Sequence, residues 1–176
     1  MQTQPTIIDL QSGAPAAYAR IVARMRRAPV RLRAYGNLSL LDSPALFMPE
    51  HVSKRETSPA ERDAVERMTE NAVLAGQILV SPYATATQQR ACVVPLRWGA
   101  PRILIANCGI EKALGSDLSG EPFRAARLWR YQWDPKTDLM LSTSIDDSGW
   151  PAWSPTAINL ARAIVAASER LAEVRA

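Results

Sequence analysis

Apolar positions along the chain follow two rhythms, short uninterrupted runs of strand length and longer stretches in which apolar residues return every third or fourth place. The first clear rhythm is helical. Tyr18, Ile21, Val22 and Met25 share one face of residues 15 to 27 while Arg20, Arg24 and Arg27 share another, which predicts a short amphipathic helix with a basic outer side. VRLRAYGNLSLL then alternates through Val30, Leu32 and Ala34 and reaches Gly36-Asn37, a short strand ending in a turn. PALFMPE (44 to 50) leads to a helix that opens with Ser58 as N-cap, Pro59 at its first position and Glu61 closing a capping box. Val65, Met68, Ala72 and Ala75 mark its apolar face, and Gly76 ends it. QILVSPY (77 to 83) is the next strand, followed from about Thr85 by a helical stretch that Pro95 must kink or stop before Gly99 closes the unit.

PRILIANCG (101 to 109) is a continuous apolar run of the kind buried on both faces of a parallel sheet. EPFRAARLWRYQW (121 to 133) can follow as a helix, and DLMLSTS (138 to 144) is the fourth strand. After a loop over 145 to 154, Ser154-Pro155 opens a final helix with Leu160, Ile164, Ala167, Leu171 and Val174 on its buried side. Strand and helix alternating at this spacing predict right-handed parallel crossovers and a three-layer α/β sandwich. The expected sheet is mainly parallel, has about four to five strands and carries helices on both faces. Residues 1 to 27 are expected to pack as a basic helix on one domain formed by 28 to 176.

Composition narrows the class. The chain has 176 residues, 47% of them hydrophobic and 22% charged, which suits one globular domain rather than a disordered segment. No apolar run approaches the roughly 20 residues that span a bilayer, and MQTQPTIIDLQSGAP lacks the layout of a secretory signal. A cytoplasmic protein with no membrane partner is expected. Cys92 and Cys108 have neither CxxC spacing nor a zinc pattern and read as buried thiols. A net charge of +4 permits a polyanionic partner.

Several segments resemble, in order, the DNA-processing protein A (DprA/Smf) family. YGNLSLL (35 to 41) is similar to the family's entry to its Rossmann-like domain, a Gly-Asn-Leu followed by leucines. VLAGQILVSPYATATQQRA (73 to 91) resembles its Ser-Gly-x-Ala-x-Gly stretch, and WGAPRILIANCGIEKAL (98 to 114) resembles its Gly-x-Pro-Thr-Ile-Ala-Val-Leu segment. LSTS (141 to 144) and NLARAIVAAS (159 to 168) resemble the family's Leu-Ser-Glu-Tyr and its Arg-Asn-Arg helix. The likeness covers about residues 28 to 170 and implies a shortened, degenerate Rossmann-like domain. Its phosphate-binding glycines are largely gone: Pro49-Glu50-His51 stands where the family has Gly-Ser-Arg, and Pro82 and Thr85 replace glycines beside Ser81. Without glycine, backbone N–H groups cannot approach a phosphate as closely. Gly109 survives, and of the paired arginines only Arg162 falls in register.

Ligands of parallel α/β sheets bind at the carboxyl ends of the strands. His51, Lys54, Arg55, Ser81, Tyr83, Thr85, Asn107 and Ser144 are the residues expected to converge there. Lys54 and Arg55 precede a helix N-terminus, an arrangement suited to an anion. Arg20, Arg24, Arg26, Arg27, Arg31 and Arg33 form the densest charge cluster, read either as a nucleic-acid track or as a solvated face. Arg124, Arg127 and Arg130 interleave with Phe123, Trp129, Tyr131 and Trp133, a mixture that serves base stacking or a core. Trp150 and Trp153 suggest a lid or a partner-facing patch, and Asp146-Asp147 lacks the further ligands a metal needs.

No cofactor, metal or catalytic relay is expected. The resemblance implies a non-enzymatic protein that binds single-stranded DNA or a nucleotide. The alternatives are a scaffold, as a homodimer or with a protein partner, whose ancestral site is lost, and a nucleotide-phosphate hydrolase of the LOG type. The Pro-Gly-Gly-x-Gly-Thr signature of that last class is missing from the sequence.

Overall fold

A computed structural model describes residues 6–29, 31–50, 57–143 and 154–175. In chain order they form β1 (Ile8–Asp9), α1 (Leu10–Gly13), α2 (Pro15–Val22), β2 (Arg33–Gly36), a 3₁₀ turn (Leu38–Asp42), β3 (Leu46–Phe47), α3 (Pro59–Leu74), β4 (Ile78–Pro82) and α4 (Ala86–Arg97). There follow β5 (Arg102–Ala106), α5 (Ile110–Leu114), α6 (Arg124–Arg127), β6 (Leu139–Ser142) and α7 (Pro155–Arg175). The strands make one six-stranded sheet in the order β1-β2-β6-β5-β4-β3. Neighbours from β3 to β6 are parallel, whereas β2 runs antiparallel to β6 and β1 antiparallel to β2.

Strand residues alternate between the two faces and so supply two cores. Val80, Ile103, Ile105, Leu139 and Leu141 pack with Ile21 of α2 and Leu160 and Ile164 of α7. Leu79, Leu104, Ala106 and Met140 pack with Cys92 and Val93 of α4 and with Ile110 and Leu114 of α5. This is the expected three-layer α/β arrangement. The two strands that apolar patterning misses as strands, β1 and β3, have two residues each, too few for alternation to register.

Local chemistry sets most boundaries. Ser58 and Glu61 close the capping box of α3, and Gly76, at φ +83°, takes the left-handed position that ends it. The buried face of α3 is Val65, Thr69 and Val73 rather than the expected Val65, Met68, Ala72 and Ala75, because Thr69 satisfies its hydroxyl on the Val65 carbonyl at 2.7 Å. Pro95 lies two residues before the end of α4, so the helix stops there without a long interruption. α7 buries Leu160, Ile164 and Ala167 as expected, but Val174 is exposed.

Two expected helices are shorter. The one over 15 to 27 ends at Val22, and Arg24 to Arg27 form a turn. Ile21 is its last fully buried anchor, and Met25 beyond it packs only partly buried against the core, too little to offset the ordering of further turns. The helix over 121 to 133 shrinks to Arg124–Arg127. Trp133 is pulled into the core, its backbone N–H donates to the Ser119 carbonyl at 2.7 Å, and Gly120 bridges Gln132, so the chain doubles back.

Gly36 joins β2 to the start of β6. At φ +119°, it lies so close to β6 that an added Cβ would sit 2.1 Å from the Asp138 carbonyl oxygen. Asn37 then donates its backbone N–H to that oxygen at 2.9 Å and its side-chain amide to the Lys136 carbonyl at 3.1 Å, and caps the 3₁₀ turn.

At this same edge, within an apolar run, lies a fully buried arginine. Arg102 pairs with Asp138 at 2.9 Å and with Glu121, and donates to the Cys92 carbonyl at 3.1 Å. Arg130 reaches Glu121 at 2.8 Å and also pairs with Asp138, while the Trp133 ring covers the Arg102 guanidinium at 5.4 Å. Two cations and two carboxylates thus neutralise one another at the amino end of β5 and β6. Sequence reading missed this cluster; a charged residue inside RILIA was its signal.

Candidate nucleic-acid interface

The loop after β4 resembles a phosphate site in sequence but is filled in space. Thr85 caps α4, accepting from the Gln88 N–H at 3.2 Å. Gln88 Oε1 in turn accepts from the N–H groups of Ala84, at 2.9 Å, and Thr85, at 3.1 Å. Backbone donors of the kind that hold a bound anion are therefore occupied by the chain's own amide oxygen. Ser81 is buried and donates to the Pro82 carbonyl at 2.6 Å. Thr57 and Thr87 hydroxyls meet at 2.6 Å beside it. The space left between Met48, Pro49, Ser81, Thr87 and Gln88 is about 10 Å³, room for at most about one water.

The neighbouring groups are equally enclosed. Tyr83 stacks on Phe123 with ring centroids 5.5 Å apart, and burial against Cys108 and Cys92 raises its hydroxyl pKa. Burial pushes the Cys92 thiol up to about 12, so it stays protonated and unreactive. Gly109 is buried at the start of α5 with φ −58°, a conformation open to any residue. Ser142 bonds the Cys108 carbonyl at 2.6 Å. His51, Lys54, Arg55, Ser144, Asp146, Asp147, Trp150 and Trp153 lie outside the described residues.

The arginines divide by partner. Arg20 is held by Asp42, Arg31 by Asp9 and Arg33 by Glu111. Arg127 donates to the Glu121 carbonyl at 2.8 Å and Arg130 belongs to the buried cluster; Arg124 is exposed. Phe123 and Trp133 are core, whereas Leu128, Trp129 and Tyr131 are exposed, with Arg97 over the Trp129 ring at 4.9 Å.

What remains converges. The turn after α2 packs beside α7, and Arg24, Arg26, Arg27 and Arg162 line one cleft of about 560 Å³ with Thr156, Asn159 and Ala163. All four arginines are exposed, and among the described residues none is in an ion pair. Three neighbouring residues of the N-terminal cluster thereby join the one arginine that the resemblance picked out far along the chain. Arg162 and Ala166 also border a second cleft, of about 460 Å³, closed by Met48, Pro49, Glu50, Val165 and Glu169.

Two solved structures that share this architecture are of DNA processing protein A. The protein from Helicobacter pylori, which binds single-stranded DNA, superposes with a TM-score of 0.58 at 16% identity over 95% of this chain and 66% of its own. The protein from Streptococcus pneumoniae superposes with a TM-score of 0.59 at 19% identity over 96% of this chain and 53% of its own. The fold is DprA-like. The chain spans under two thirds of the length of these DprA structures, and its sequence matches no family model and no curated protein. Within that DprA-like fold, no described helix is long and apolar enough to cross a membrane, and the described residues hold no group of three metal-ligating side chains.

Proposed function

We propose that this chain is a non-enzymatic single-stranded DNA-binding protein that holds the phosphate backbone in the cleft between the turn after α2 and α7. The observation that carries the reading is the convergence of Arg24, Arg26, Arg27 and Arg162 on one cleft. Guanidinium groups are suited to phosphate, which they grip in bidentate fashion. The N-terminus of α7, beside Thr156, adds a positive dipole end. The described lining holds no histidine, cysteine or carboxylate to serve as nucleophile or base. The DprA-like fold supports the same reading, since its H. pylori representative binds single-stranded DNA.

Titration with single-stranded and duplex oligonucleotides at two salt concentrations tests it. Single-strand-preferring binding is expected, and Arg24→Ala/Arg27→Ala/Arg162→Ala should lower the salt slope by about 0.7 per phosphate contact removed. An unchanged slope removes the cleft from the interface. A partner-binding role is the second reading, favoured by the exposed Trp98, Leu128, Trp129 and Tyr131; co-purification of a stable complex that Trp129→Ala disrupts would support it.

A further inference from the structure

The two clefts share Arg162 and Ala166 and so form one groove along α7, with opposite charge at its ends. Arginines gather at the end toward Thr156, whereas Glu50 and Glu169 stand at the other, beside the apolar surfaces of Met48, Pro49 and Val165. Both carboxylates are exposed, and among the described residues neither is in an ion pair. A phosphate is repelled from this end. A base is not: its faces pack on apolar side chains, and an exocyclic amino group donates to a carboxylate, the pairing by which Glu and Asp read cytosine. The cleft volume of about 460 Å³ lies within the usual range for small-ligand sites.

We propose that the Glu50/Glu169 cleft is a nucleobase subsite that takes an unpaired base bearing an exocyclic amine, while Arg162 holds the phosphate at the junction with the arginine cleft. The inference rests on the single-strand-binding reading and adds to it a base preference. Thymine presents a carbonyl where cytosine presents an amine, so at that position it offers the carboxylates no donor and brings its own oxygen against them.

Oligo-dC and oligo-dT of equal length, both pyrimidine strands, separate the two claims. Binding by the full chain is measured for each, and again for Glu50→Ala/Glu169→Ala, two surface changes with little expected effect on folding. Removing two negative charges raises affinity for any polyanion, so the dC to dT ratio is the readout. The proposal expects dC to bind at least about tenfold more tightly, the gain of one good base contact, with the ratio falling toward one in the double variant. Equal, salt-sensitive binding of both strands by the unaltered protein would overturn the base subsite and leave the phosphate cleft standing. A preference for dC that survives the double substitution would also overturn it. Failure of both strands to bind at low salt would overturn both readings.

Discussion

Two groups of arginines in this molecule have opposite fates. Arg102 and Arg130 are drawn into the amino end of the sheet, where Glu121 and Asp138 neutralise them and a tryptophan ring covers one. Arg24, Arg26, Arg27 and Arg162 stay exposed around an open cleft on α7. The side chain is the same and its surroundings decide its use. A buried cation needs fixed partners, or its desolvation goes uncompensated; an exposed one without a carboxylate keeps its charge available to a ligand. The first group should govern stability and the second binding.

The sharpest way to break that division is Arg102→Met, which leaves Glu121 and Asp138 buried with Arg130 alone. A loss of about 3–5 kcal/mol in denaturant unfolding is expected; a loss under about 1 kcal/mol would mean that the cluster is incidental. Gly36→Ala attacks the same edge through the backbone, pressing a methyl group into the Asp138 carbonyl at an unfavourable φ. About 3 kcal/mol is expected, with oligonucleotide binding intact in the protein that remains folded. The cleft arginines should behave in reverse: each of Arg24→Ala, Arg27→Ala and Arg162→Ala should change unfolding free energy by less than about 0.5 kcal/mol while weakening oligonucleotide binding.

The smallest effect belongs to Arg33 and Glu111, an intermediate case. The Arg33 guanidinium holds the Glu111 carboxyl below its ordinary value of 4.5. A carboxyl depressed by folding stabilises the native state above its unfolded pKa and loses that contribution as pH falls through the folded value. Acid titration of stability in Arg33→Gln should therefore lack a step below about pH 4.5, of no more than about 1 kcal/mol because the pair is partly exposed.

How much of this was legible depended on how local each cause is. The capping box from Ser58 to Glu61, the stop at Gly76 and the run RILIA carry their own structure, and the three-layer fold follows from their order. Thr85 and Gln88 have capping-box spacing too, and that spacing was the available sign that the loop after β4 serves its own helix. What sequence could not supply was partnership across distance. Arg102 reads as one charge in an apolar run until Asp138 is placed beside it. Arg24, Arg27 and Arg162 were each singled out, but only the packing of α2 on α7 puts them in one cleft and leaves Arg20 with Asp42.

The strand order also bears on when the groove comes into being during synthesis. β4, β5 and β6 each dock on the strand made just before, so most of the sheet can assemble as the chain emerges. β2 must wait for β6, as the pairing of Ala34 with Leu141 requires, and the groove must wait longer, since α7 is the last described element. A nascent chain therefore displays Arg24, Arg26 and Arg27 well before Arg162 exists. On the proposed single-strand-binding reading, ribosome-bound chains should have only the weak, non-selective attraction of three early charges, and tight capture of a strand should become available only after α7 has been translated.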